Sequence, residues 1–179
     1  MLHRFNVLAA KNLIIQFEYY MQYTTIKTKG ELIMSYTALE IAKYIISTCS
    51  KKNRPISNLK LQKLLYFAWI YYYTKTGNGL FHDDICAWQF GPVVPDVYYE
   101  YCSYAGMPIS QDYLTNISED DKVLLNSFIE EYACYSASTL VDRTHTLGKP
   151  WSIIFQNGIG NRSVIPYPLI IEKECLNAN

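Results

Sequence analysis

The sequence predicts a mainly α protein: a single compact helical domain around a buried central helix, with a small two-stranded β element. Three observations carry this. Residues 59–75 form one helix-length run in which every residue from Leu64 to Tyr73 is aliphatic, aromatic or Ala, so no face suits water. Amphipathic stretches with helix-start signals lie on both sides of it. Half of the 179 residues are hydrophobic and 18% are charged, enough apolar material for one core at a length typical of one domain.

The central run begins after Ser57, whose hydroxyl can accept from amides of the first turn, and ends at Gly77, which can adopt the left-handed conformation of a helix terminus. It falls well short of the roughly 20 apolar residues that cross a bilayer. No membrane association is expected.

Residues 1–33 differ in character from the rest. They form a poor signal peptide, with Glu18 behind Leu13–Phe17 and no small-residue cleavage site. Leu8–Tyr23 reads as a short amphipathic helix and Thr24–Gly30 as a linker. The expectation is an N-terminal extension over 1–33 and a folded domain over 34–179, with Met34 as its start.

Thr37-Ala-Leu-Glu40 has capping-box spacing and opens a helix with Ala38, Leu39, Ile41, Ala42, Ile45 and Ile46 on one stripe. Asn53 to Pro55 ends it. After Gly77-Asn-Gly79, Leu80–Trp88 lacks a helical period and reads as extended. Gly91-Pro-Val-Val-Pro95 reads as a tight turn, and Pro95 as the first turn of a helix running to Gly106.

Ser118 caps the next helix, whose first turn is acidic and whose inner stripe is Leu124, Leu125, Phe128, Ile129 and Tyr132. Ala137, Leu140, Val141 and Thr144 repeat the spacing in a helix closed by Gly148. Trp151 to Phe155 reads as an apolar packing segment, Asn157–Asn161 as a Gly/Asn turn with Gly158–Ser163 turning as a hairpin, Ser163–Pro166 as extended and Leu169–Leu176 as a last short helix. Ile85–Trp88 and Ser163–Ile165 are the natural partners for a small ladder.

Sixteen basic and sixteen acidic residues leave no net charge, which argues against nucleic-acid binding, since such proteins carry a basic excess to displace counterions. The cluster Lys51, Lys52, Arg54 reads as a solvated helix end. Five scattered cysteines without C-x-x-C spacing suggest free, mostly buried thiols in a cytoplasmic protein.

No catalytic set assembles. His82 with Asp83, Asp84 and Cys86 lacks metal-ligand spacing. Asp142 and His145, at i and i+3, suit a structural hydrogen bond better than catalysis, because no nucleophile accompanies them. A hydrolase-type enzyme using Asp142 and His145 in a cleft is the alternative. Gly158-Ile-Gly160 lacks the lysine and the strand-to-helix setting of a phosphate loop. No cofactor or metal is expected. Seventeen tyrosines, several on consecutive helices, suit either the core edge or a protein interface.

Several fragments together resemble the Panacea domain, the SocA-like antitoxin family that includes phage-associated proteins of the GepA type. They are Leu59-Lys-Leu-Gln-Lys-Leu-Leu-Tyr-Phe-Ala68, Ala87-Trp88, Gly91-Pro-Val-Val-Pro95 with Tyr98, Thr144-His145 and Pro150-Trp151. The residues that carry the likeness are Leu61, Gln62, Lys63, Leu64, Tyr66, Ala87, Trp88, Gly91, Pro92, Pro95, Tyr98, Thr144, His145, Pro150 and Trp151, most of them apolar or turn-forming. The resemblance implies a non-catalytic antitoxin that neutralises a cognate, nearby-encoded toxin by direct contact, as in toxin-antitoxin systems and phage defence. It also implies a second mechanism within the family, delivery of the toxin to a Clp protease. Tyr72 and Tyr99 are the candidate partner-binding residues.

Overall fold

The computed structural model describes residues 36–176; the expectations for residues 1–33 and for Met34 lie outside them. Helix α1 (Ala38–Lys51) starts at the expected capping box, in which Thr37 accepts from the Glu40 amide and Glu40 accepts from the Thr37 amide. Asp83 adds a second cap from a distant loop, its carboxylate accepting from the Ala38 amide at 2.9 Å. The short strand β1 (Ile56–Ser57) leads into α2 (Asn58–Thr76), the central helix, capped by Ser57 and ended by Gly77 at φ 73°.

Every residue of α2 from Leu61 to Trp69 is buried, while Ile70 to Tyr73 are half-buried. Full burial therefore stops one turn earlier than the composition suggests. The last turns rest their tyrosines on the core edge.

β2 (Cys86–Trp88) and β3 (Gly91–Val93) form an antiparallel hairpin, with Trp88 opposite Gly91. Gly91–Val93 is thus a strand and not only a turn. Gly91 sits at φ 98°, which permits the two-residue connection through Gln89 and Phe90. The expected pairing with Ser163–Ile165 is present too. Ala87 N–H donates to Ser163 O at 2.8 Å and Ile165 N–H to Ile85 O at 2.7 Å, with a bridge between Cys86 and Val164.

α3 (Pro95–Glu100) is shorter than expected: it tightens into a 3₁₀ turn at Cys102–Tyr104 and breaks at Ala105, φ 50°. β4 (Pro108–Ile109) pairs with β1, a second small sheet that the sequence reading missed. Ser118 caps α4 (Glu119–Tyr132), which buries Leu125, Phe128 and Ile129. Ser136 caps α5 (Ala137–Thr144).

Trp151 to Phe155 is helical, as part of α6 (Pro150–Phe155), because Pro150 presets the first turn. Asn157–Asn161 is a turn, as expected, but Gly158–Ser163 follows a helix and is no hairpin. The stretch begins with a 3₁₀ turn at Gln156–Gly158 that has Gln156, Asn157 and Gly158 at positive φ. α7 (Tyr167–Ile170) continues as a π turn over Ile171–Cys175.

One core unites the helices, and α2 lies at its centre, in contact with α1, α4, α5, the hairpin and the C-terminal turns. The Lys51–Arg54 cluster is exposed, with Lys51 paired to Asp112 at 3.0 Å and Lys52 to Glu130. Only Cys49 and Cys86 are buried among the five free cysteines; Cys102 and Cys134 are exposed and Cys175 is intermediate. The expectation of mostly buried thiols fails because Cys102 and Cys134 follow α3 and α4, where the chain leaves the core.

Candidate interaction surface and its buried support

Three polar side chains of α2 are buried: Asn58, Gln62 and Lys63. A buried polar group is costly unless hydrogen-bonded. All three satisfy this on the backbone of one segment, residues 92–98. Lys63 Nζ donates to Pro92 O at 2.6 Å, Gln62 Oε1 accepts from the Val94 amide at 2.9 Å, and Asn58 Nδ2 donates to Tyr98 O at 3.0 Å. Gln62 also donates to Asn58 Oδ1 at 3.1 Å, an i, i+4 contact along the helix.

A fourth bond holds the other strand. Trp151 Nε1 donates to Trp88 O at 2.8 Å. The hairpin and the start of α3 are therefore fastened to the core by side-chain bonds in addition to their own ladder.

The fit around Lys63 is close. A Cβ at Gly91 would lie 2.7 Å from Lys63 Nζ and 2.7 Å from Thr144 Oγ1. Only glycine leaves this space, so Gly91 serves both its turn and its neighbours. Burial pulls the Lys63 amine down to about 7 from its ordinary 10.5.

His145 stacks face to face on Trp151, centroids 3.7 Å apart and planes 4° from parallel, and Trp151 stacks on Phe155 at 4.6 Å. Its Nε2 is buried without a hydrogen-bond partner. Burial and then the nearby Lys63 hold the imidazole below its usual range, against an opposite pull from Asp142. The expected His145–Asp142 hydrogen bond is replaced by this stacking. Asp142 lies on the exposed face of α5, while the ring of His145, at its C-cap, packs against Trp151.

Outside this support the hairpin and the start of α3 present aromatic rings. Trp88, Tyr98 and Tyr99 contact one another, with centroids 4.8 Å apart for Trp88–Tyr98, 5.5 Å for Tyr98–Tyr99 and 6.1 Å for Trp88–Tyr99. Tyr99 is 55% exposed and Phe90, at the hairpin tip, 60%. The Arg162 guanidinium covers the Trp88 ring at 5.1 Å.

The two candidate tyrosines differ in setting. Tyr99 is exposed, whereas Tyr72 is half-buried with its hydroxyl donating to Asp121 at 2.8 Å. Asp121 also accepts from Tyr36 at 2.6 Å and from Ser118 at 2.7 Å. Leu61, Leu64, Tyr66, Ala87, Pro92, Thr144, Pro150 and Trp151 are all buried. Pro95 and Tyr98 are half-buried where α3 begins. Asn58 was missed, having no signal beyond its place one turn before Gln62.

His82, Asp83, Asp84 and Cys86 do not gather: Asp83 caps α1, and Tyr167 Oη donates to its carbonyl at 2.6 Å. Among the described residues no group of three His, Cys, Asp or Glu side chains could hold a metal ion. No helix among them is long and apolar enough to cross a membrane.

These features define a mainly α domain in which a β-hairpin is fastened to a buried central helix. The model of the antitoxin SocA-like family, Panacea domain, matches residues 61–152, an interval that holds Gln62, Lys63, the hairpin, Thr144, His145 and Trp151. Antitoxin SocA of Caulobacter vibrioides is 33% identical over 141 residues, covering 70% of this chain and 73% of that protein. The chain belongs to the SocA-like Panacea family. No solved structure matches it.

Proposed function

We propose that this chain is a non-catalytic antitoxin that silences a cognate protein toxin by direct contact in the cytoplasm. The observation that carries this reading is membership of a family whose curated relative is named as an antitoxin. The internal use of the reactive side chains supports it. Lys63 is committed to Pro92 O and His145 to the face of Trp151, so neither is presented to a substrate.

The test is genetic. The product of an adjacent reading frame should arrest growth when expressed alone, and co-expression of this chain should restore growth. Rescue should survive His145→Gln, since a packing ring carries no chemistry. An adjacent product that is neither bound nor neutralised would sink the proposal. Delivery to a Clp protease is the finer variant: rescue would then disappear in cells lacking the protease, and toxin levels would fall whenever this chain is present.

A further inference from the structure

We infer that the aromatic platform of Trp88, Phe90, Tyr98 and Tyr99 is the surface that grips the partner, and that its occupant is a protein segment presenting a carboxylate beside an apolar side chain. This deepens the antitoxin reading and rests on it.

The carboxylate follows from Arg162. Arg162 is exposed, its guanidinium lies over the Trp88 ring at 5.1 Å, and it forms no ion pair among the described residues. The guanidinium carries five N–H donors, and the contact with the ring face consumes none of them as a hydrogen bond to a carboxylate. These donors form a planar fork matched to a carboxylate, which they can bind through two parallel hydrogen bonds. Asp96 and Glu100, exposed on α3 near the same rings, make no ion pair with it. A partner's carboxylate would supply the missing counter-charge.

The apolar contact follows from Tyr99, more than half exposed and in ring contact with Trp88 and Tyr98, and from Phe90, more than half exposed at the tip of the same hairpin. Tryptophan, tyrosine and arginine are the residue types that dominate binding energy at protein interfaces. The support under them fits the same role. Four side-chain bonds, from Asn58, Gln62, Lys63 and Trp151, fix the backbone on which the rings stand. A surface ordered before binding loses less entropy when its partner arrives.

The probe is the product of the adjacent reading frame, measured against the full-length chain by titration calorimetry. The double variant Phe90→Ser/Tyr99→Ser should weaken binding at least 30-fold and abolish growth rescue with the fold retained, since both residues are more than half exposed. Arg162→Glu should weaken it at least tenfold, and Arg162→Lys should recover only part of that loss, since an ammonium cannot reproduce the fork. Hydrogen exchange on the unmutated complex gives an independent readout, with new protection expected at residues 88–99 and 162.

Wild-type binding that persists within threefold in both the double variant and Arg162→Glu, or protection confined to another face, overturns the platform and leaves the antitoxin reading standing. A wild-type chain that neither binds nor rescues overturns both.

Discussion

Lys63 Nζ and the carbonyl of Pro92 stand 2.6 Å apart in an environment that excludes solvent from the amine, joining the central helix to the second strand of the hairpin. A buried lysine whose amine has fallen to about 7 makes stability depend on pH. In the unfolded chain the amine holds its proton up to about pH 10.5. Between 7 and 10.5 the unfolded state therefore binds more protons than the folded state, and stability rises with pH.

Urea denaturation should accordingly show stability climbing by about 1.5 kcal/mol from pH 7 to 8.5. Above that window Cys49, pushed up to about 11 by burial, acts in the opposite sense, because its folded state keeps a proton the unfolded chain releases. Lys63→Met should flatten the rise. An unchanged slope in that variant would show that the lysine is charged in the fold.

Gly91→Ala should destabilise the protein by about 2 to 5 kcal/mol, combining a left-handed backbone with a clash against Lys63 and Thr144. Gly77→Ala is the matched comparison. It shares positive φ but faces open space, so a cost of only about 1 to 2 kcal/mol is expected. Equal losses in chemical denaturation would mean that the space beside Lys63 is not tightly filled.

Tyr72→Phe should lower stability by about 1 kcal/mol through loss of its bond to Asp121. Partner affinity should not change, which separates Tyr72 from Tyr99. A tenfold loss of affinity at Tyr72 would place the binding face on the far side of α2 from the hairpin.

Deleting residues 1–33 should shift the melting temperature by less than about 4 °C. The start of α1 is closed by Thr37, Glu40 and Asp83, all within the described residues, so capping needs nothing upstream of Tyr36. A drop of more than about 8 °C would show that the extension packs on the core.

Much of this architecture is legible in the sequence. The long helices announce themselves by period and caps: Thr37, Ser57, Gly77 and Ser118 all act as their positions suggest. The β elements are harder, because strands of two or three residues carry too little pattern. β1 and β4 join Ile56 to Ile109 across 53 positions with no local signal. The support of the candidate surface was legible only in part. Lys63 stands in the family-like motif, but a lysine in the first turns of a helix ordinarily reaches solvent, and nothing local reveals that Gly91 and Thr144 close over it. No local pattern separates exposed Tyr99 from half-buried Tyr72, and Phe90 reads as an ordinary hydrophobic residue until the hairpin lifts it out.

The position of α2 in the chain has a consequence for synthesis. The helix is complete at Thr76, yet the residues that cover it include Phe128, Leu140, Trp151 and Ile170. At translation rates of about 5 to 20 residues per second, Ile170 follows Thr76 by roughly 5 to 20 s. For that interval α1 and the hairpin can cover part of the helix, while the faces that meet α4, α5 and the C-terminal turns stay open. The core therefore closes only when the last turns of the domain have been made.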